Sequence, residues 1–346
     1  MTICDKSFKT YDEQIELLKS RGLIIEDYEF ALHALNTISY YDLINRYQRY
    51  FMPDGEKFID NTRIELLYSF SLFDKSIQSF ILKYSMFIEN IFKTKLAYIL
   101  AKDFGAKESE YLSAAKYRQS YQNPNGTLTF NSISLECEKT ILDSKITNNP
   151  TLYYHENHNH IPPWILLKNL SFSNAINLFK LLKDTQRDII VNELIPNAQI
   201  TPSDKINFVF CSLEAIRLFR NFAAHNLDFT ALRTDETRKL SPTVISKLLS
   251  GSGLIKKENK KISATERAFF RGIYGIMLSM LVYLKTNYLI SEFIIDFLSI
   301  FKGINGDDAG VKYYLFECYS DIANMPIDTP IRLQNYLFTC QQKQLS

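Results

Sequence analysis

The chain has 346 residues, 46% hydrophobic and 23% charged, with a net charge of +2. Such content buries one large or two modest cores and excludes a disordered chain. The charge is too small to mark the whole molecule as a nucleic-acid binder, so any basic surface must be local.

Glycine (11) and proline (10) are scarce beside 21 tyrosines and 25 phenylalanines. Few breakers and many apolar-periodic stretches predict an all-α protein. The opening Met1-Thr2-Ile3-Cys4-Asp5-Lys6 has no basic segment leading into an apolar run, which reads as a cytoplasmic chain without a secretory signal. Thr10 and Glu13 have capping-box spacing and Gly22 offers a stop, so a first helix should cover Tyr11–Arg21. A second is expected over Asp27–Leu35. A third should follow Ile38-Ser39-Tyr40-Tyr41 and end before Pro53-Asp54-Gly55. This N-terminal helical region closes near residue 60.

From Thr62 to about Lys102 apolar residues recur every three or four positions without glycine or proline, predicting one long helix or two collinear ones. Asp74, Glu89, Asn90, Lys93 and Lys95 interrupt its apolar pattern, and Glu89 is the one to test for contact with the arginine and histidine helix described below. Between Gly105 and Ile161 the pattern weakens into turns and loop. Its His155-Glu156-Asn157-His158-Asn159-His160 cluster has no second cluster to complete a metal site, so no metal or cofactor is assigned. Trp164–Leu182 reads as a core helix or a broken pair.

Thr201-Pro202-Ser203-Asp204 places a hydroxyl cap, a proline and an acid where a helix begins, so a helix should run from Pro202 to about Asn226. At about 100° per residue, Phe208, Ala215, Phe219, Phe222 and Ala223 share one side, while Glu214, Arg217, Asn221 and His225 share the other. Beyond it Ala264–Phe301 reads as one or two apolar helices. Its most hydrophobic run, Ile273–Leu284, is too short to cross a bilayer, so no membrane partner is expected. The cysteines, Cys4, Cys137, Cys211, Cys318 and Cys340, show no paired spacing, which fits thiols in a reducing compartment. The regions are thus residues 1–60, a core of 61–240, and an extension of 241–346.

Chemistry concentrates in Arg220-Asn221-Phe222-Ala223-Ala224-His225. An imidazole of ordinary pKa, about 6.5, exchanges protons at neutral pH, and a guanidinium holds a phosphate oxygen or developing negative charge. Together they suggest phosphodiester chemistry. By rotation Arg220 and His225 lie about 140° apart, so they need not touch within one copy. Taken alone, a short arginine and histidine spacing is more often a solvated helix face. Local cations that could follow a nucleic-acid backbone are Arg217, Arg233, Arg238 and Lys239; Glu89 and Glu214 are the acids that could support the site.

Several segments in order resemble the bacterial Abi-like (AbiD/AbiF) abortive-infection family. They are Lys9-Thr10-Tyr11-Asp12-Glu13-Gln14-Ile15-Glu16-Leu17-Leu18, Ile38-Ser39-Tyr40-Tyr41-Asp42-Leu43, Leu67-Tyr68-Ser69-Phe70, Pro162-Pro163-Trp164-Ile165 with Leu170-Ser171-Phe172, and Arg220-Asn221-Phe222-Ala223-Ala224-His225. The chain departs from the pattern at Ser173, where glycine is usual, and at Lys168, where an acid is common. The tryptophan and arginine often found after the histidine are also missing. The resemblance implies a HEPN-like helical bundle with N- and C-terminal helical extensions, and metal-independent RNA cleavage in which Arg220, Asn221 and His225 are the catalytic residues. It also implies a homodimer with a composite site, because one chain supplies one half-motif, and a toxin and antitoxin arrangement with a small antitoxin RNA as partner. The alternative from a different class is a non-catalytic RNA-binding or protein-interaction module built on the same bundle.

Overall fold

The computed structural model describes residues 7–123, 126–143, 150–302 and 309–345. The readings that involve Met1 to Lys6, Pro124, Asn125, Asn148, Asn149, Gly303 and Gly306 lie outside these. The first helix, α1 (Tyr11–Ser20), begins with the reciprocal cap that the spacing predicts: Thr10 Oγ1 accepts from Glu13 N at 3.2 Å and Glu13 Oε2 accepts from Thr10 N at 2.7 Å. Asp27 caps α2 (Tyr28–Thr37). The expected third helix is divided into α3 (Tyr40–Leu43), a 3₁₀ turn over Asn45–Tyr47, and α4 (Gln48–Phe51). Tertiary bonds override local propensity there, because Arg46 and Tyr47 in the turn both point inward to partners elsewhere in the chain.

The stretch from residue 62 forms one helix, α5 (Ile64–Phe104), of 41 residues and about 60 Å. Leu67, Phe70, Asp74, Ile77, Ile81, Tyr84, Ile88, Phe92, Leu96 and Ile99 follow the helical period and are all buried. With no glycine or proline inside, nothing interrupts the helix until Gly105, whose φ of +113° is a conformation that side chains rarely adopt. Most of the other α-helices pack on α5.

Residues 105–161, read as turns and loop, contain more structure than that. They hold α6 (Glu108–Tyr111), an antiparallel hairpin of β1 (Ser120–Asn123) and β2 (Gly126–Thr129) with Ser120 opposite Thr129, then α7 (Phe130–Asp143) and α8 (Pro150–Asn157). The strands have only four residues each, too short for alternation to show, and polar residues dilute the Phe130, Ile133, Cys137 stripe of α7. The segment after Ile161 is the broken pair: α9 (Pro163–Asn169) and α10 (Phe172–Leu181), divided where Ser171 accepts from Asn174 N at 3.1 Å. An unforeseen α11 (Asp184–Leu194) precedes α12 (Pro202–Ala224), which starts at the Thr201 cap with Pro202 in its first turn.

The remaining elements are α13 (Pro242–Leu248), α14 (Ala264–Ala268), α15 (Ile273–Tyr283), α16 (Asn287–Ser299), α17 (Ala309–Ala323) and α18 (Thr329–Leu345). Nearly every residue of α15 is buried, against α12, α5 and α13. Helices α16 and α17 cover the first half of α5 through an aromatic cluster in which Phe80 and Phe293 have ring centroids 4.8 Å apart. One hydrophobic core therefore runs from Ile15 to Cys340, shared by all three sequence regions. The fold is all-α apart from the hairpin. Among the described residues no disulfide joins Cys137, Cys211, Cys318 or Cys340, and no helix is long and apolar enough to cross a membrane.

Candidate active site at the end of helix α12

Helix α12 lies along α5 and is backed by α10, α11 and α15. Its apolar side is buried at Phe208, Ala215 and Phe219, while Glu214, Arg217, Arg220, Asn221 and His225 stay at or near the surface. The helix closes on His225, whose N–H is donated to Asn221 O at 3.0 Å. The next residue, Asn226, is left-handed with φ of +53°. Leu227 N then bonds Phe222 O at 3.0 Å and Asn226 N bonds Ala223 O at 3.4 Å. These two bonds form a Schellman motif, which fixes the backbone carrying His225. The side chain of His225 is exposed and, among the described residues, its imidazole makes no hydrogen bond.

Asn226 is held from three directions. Its Nδ2 donates to Asp42 Oδ2 at 3.0 Å, and its Oδ1 accepts from Arg46 at 2.9 Å and from Lys75. Arg46 also bonds Asp42 and lies 3.8 Å from Asp74 Oδ2. Asp74, fully buried, accepts from Tyr47 Oη at 2.8 Å, Gln78 Nε2 at 2.7 Å and Tyr319 Oη at 3.1 Å. Burial pushes its carboxyl above the usual range despite these donors and Arg46. The network therefore joins the α3–α4 region, α5, the end of α12 and α17. None of Asp42, Arg46, Lys75 and Asn226 stands out in the sequence as a site residue; the usable signal is an asparagine just past a helix end, where the left-handed conformation is tolerated.

Arg220 extends over α5. Its Nη1 donates to Asn221 Oδ1 at 3.3 Å, and its Nη2 lies 3.8 Å from Glu89 Oε2. Glu89 thus makes the contact for which it was singled out, and it also pairs with Lys93 at 2.6 Å. Burial holds Lys93 below the usual lysine range, although Glu89 opposes the shift. The side chain of Asn221 thus bonds Arg220. Arg220 Nε has no partner among the described residues, so the guanidinium is steered but not saturated.

The other expected cations separate. Arg217 bonds Glu214 at 3.0 Å, and Glu214 also takes Lys180 at 2.8 Å. Burial would raise the Glu214 carboxyl, but Lys180 and Arg217 outweigh it and hold it below its ordinary value. Arg217, Glu214 and Arg238 line a cleft of about 500 Å³ under the hairpin, which Arg220 does not line. Arg238 pairs with Asp235, and Lys239 with Glu236 at 2.8 Å. Arg233 turns inward and donates to the carbonyls of Thr230, Leu232 and Ile322, each at 2.8 Å, so it ties α12's exit to the end of α17. Among the described residues no three histidine, cysteine or acidic side chains gather as a metal-holding group; His155 Nε2 lies 3.1 Å from Ile141 O.

A family model described as Abi-like protein matches residues 33–229, more than half of the chain. The chain belongs to the Abi-like family. Membership implies a part in abortive-infection defence. The matched span starts before Asp42 and Arg46 and ends just after Asn226, so it holds both the arginine and histidine motif and the residues that clamp its end. No curated protein and no solved structure matches the chain.

Proposed function

We propose that the chain is an endoribonuclease toxin of the HEPN type, acting in the cytoplasm without a metal ion. The observation that carries this reading is the helix end itself. It presents an unbonded imidazole on a locked backbone, with a partly exposed guanidinium one residue beyond a helical turn upstream. In the reaction an RNA 2′-hydroxyl attacks the adjacent phosphorus. His225 takes the hydroxyl proton, a role worth roughly 10²- to 10⁴-fold. The P–O5′ bond breaks as a protonated imidazole gives its proton to the leaving oxygen, which yields a 2′,3′-cyclic phosphate and a 5′-hydroxyl. Arg220, aimed by Asn221 and Glu89, stabilises the charge gathering on the phosphoryl oxygens.

Two imidazoles with opposite protonation serve this chemistry best, and each chain offers one. The active form is therefore a homodimer whose two α12 ends meet at a two-fold axis. Arg217, Arg238 and Lys239 contribute secondary contacts to the RNA backbone, and a small antitoxin RNA restrains the enzyme in the cell. A cleavable oligoribonucleotide tests the scheme. Replacing the ribose at the cut position by deoxyribose must stop cleavage and leave binding intact, and the products of the parent must end in cyclic phosphate. Cleavage of the deoxy substrate at the same bond would refute the mechanism.

A further inference from the structure

Beside Arg220, the outer face of α5 leaves a groove of about 980 Å³ whose opposite wall is α9. The lining residues of α5 run from Met86 to Lys102 in steps of three and four, a stripe about 24 Å long with Ala97 and Ala101 as a low floor. Two large aromatic side chains stand on it with open faces: Tyr98, 58% exposed, and Trp164, 48% exposed. Four cations line it, Lys93, Lys102, Lys168 and Arg220, against the single acid Glu89, which Lys93 already neutralises. That local surplus exceeds the net charge of the entire chain, +2.

Cations interleaved with exposed aromatic faces match the chemistry of one class of ligand. Every phosphate of a single-stranded nucleic acid is an anion and every base has a π-face, so such a strand satisfies both features at once. A second copy of the chain does not. A two-fold contact through this face would bring the same cations against themselves.

We propose that this groove binds single-stranded RNA, with Trp164 and Tyr98 stacking on bases and Lys102 and Lys168 on phosphates, and that it leads the strand to Arg220. The direction of travel rests on the nuclease reading; the binding does not. A paired duplex keeps its bases stacked inside and has no face to offer Trp164, so selectivity for unpaired RNA follows.

Trp164 is the chain's one tryptophan, so intrinsic tryptophan fluorescence reports on this groove alone. The His225→Ala protein, titrated with a short oligoadenylate, should show saturable quenching that weakens as salt is raised, while duplex RNA should leave the emission unchanged. Anisotropy of the labelled oligonucleotide should show Trp164→Ala binding weakened roughly 5- to 150-fold. The surface double variant Lys102→Glu, Lys168→Glu should lose about tenfold or more. Binding without a change in Trp164 emission and undiminished in Trp164→Ala would overturn the proposal. So would an emission change that follows protein concentration alone, since a second copy would then fill the groove. Quenching by RNA together with a wild-type protein that cuts nothing would remove the nuclease reading and leave the groove standing. Cleavage with unchanged KM in Trp164→Ala would do the reverse.

Discussion

Asn226 sets where His225 stands, although the proposed reaction gives it no chemical step. It supplies the left-handed turn that ends α12 and a side chain bonded to Asp42, Arg46 and Lys75. Two substitutions separate these roles. Asn226→Gly keeps the positive φ and loses the side-chain bonds, leaving Arg46 with an unmet buried donor, and should lower stability by about 1–3 kcal/mol. Asn226→Ala loses the bonds and must also hold a Cβ in the left-handed region, which should add about 1 kcal/mol. Urea unfolding measures the difference, and equal losses would show that the backbone conformation contributes nothing. Both variants should lower kcat more than they raise KM, because binding in the groove does not pass through Asn226. The end of a helix at the Arg220 to His225 stretch was legible in the sequence, and so was the contact of Glu89 with Arg220. The clamp was not, because Arg46 lies 180 residues from Asn226 and no local pattern joins them. Arg233 shows the opposite effect: its charge suggests a surface, yet three backbone carbonyls draw it inward.

The elements most easily read are those with a long uninterrupted period and a marked start. Helices α5 and α12 qualify, the first through its apolar recurrence and the second through the Thr201-Pro202 opening. Elements whose form depends on what they meet were harder to read. The third expected helix breaks because Arg46 and Tyr47 answer to Asn226 and Asp74, and the hairpin is too short for alternation to appear. Packing on α5 also assigns a use to the C-terminal helices. Phe293 on α16 is fully buried and meets Phe80 and Tyr84 at 4.8 and 4.6 Å between ring centroids. Phe293→Ala should therefore cost about 3–5 kcal/mol. A thermal melt indistinguishable from wild type would mean that α16 does not complete the core.

At the scale of the molecule, the described residues after 240 are part of the body that carries the candidate site. Tyr319 bonds Asp74, Arg233 reaches Ile322, Tyr283 bonds Ser212 at 2.6 Å, and Asp296 bonds both Lys83 and Tyr84. Removing residues after 240 would uncover Phe80, Tyr84 and much of α5 and α12 to water. The shortened chain, although it retains the whole family match, should aggregate or lose near-ultraviolet circular dichroism. A soluble, folded fragment of residues 1–240 would show that the extension is a separate unit.

The measurement that tests the central claim most directly is the incubation of purified wild-type protein and its His225→Ala variant with total RNA in EDTA, with the cut ends mapped. Wild type should cleave and leave 2′,3′-cyclic phosphate ends, while the variant, whose changed side chain is exposed and should leave folding intact, should be slower by roughly 10²- to 10⁴-fold. Equal cleavage by both proteins, or cleavage that EDTA abolishes, would contradict it.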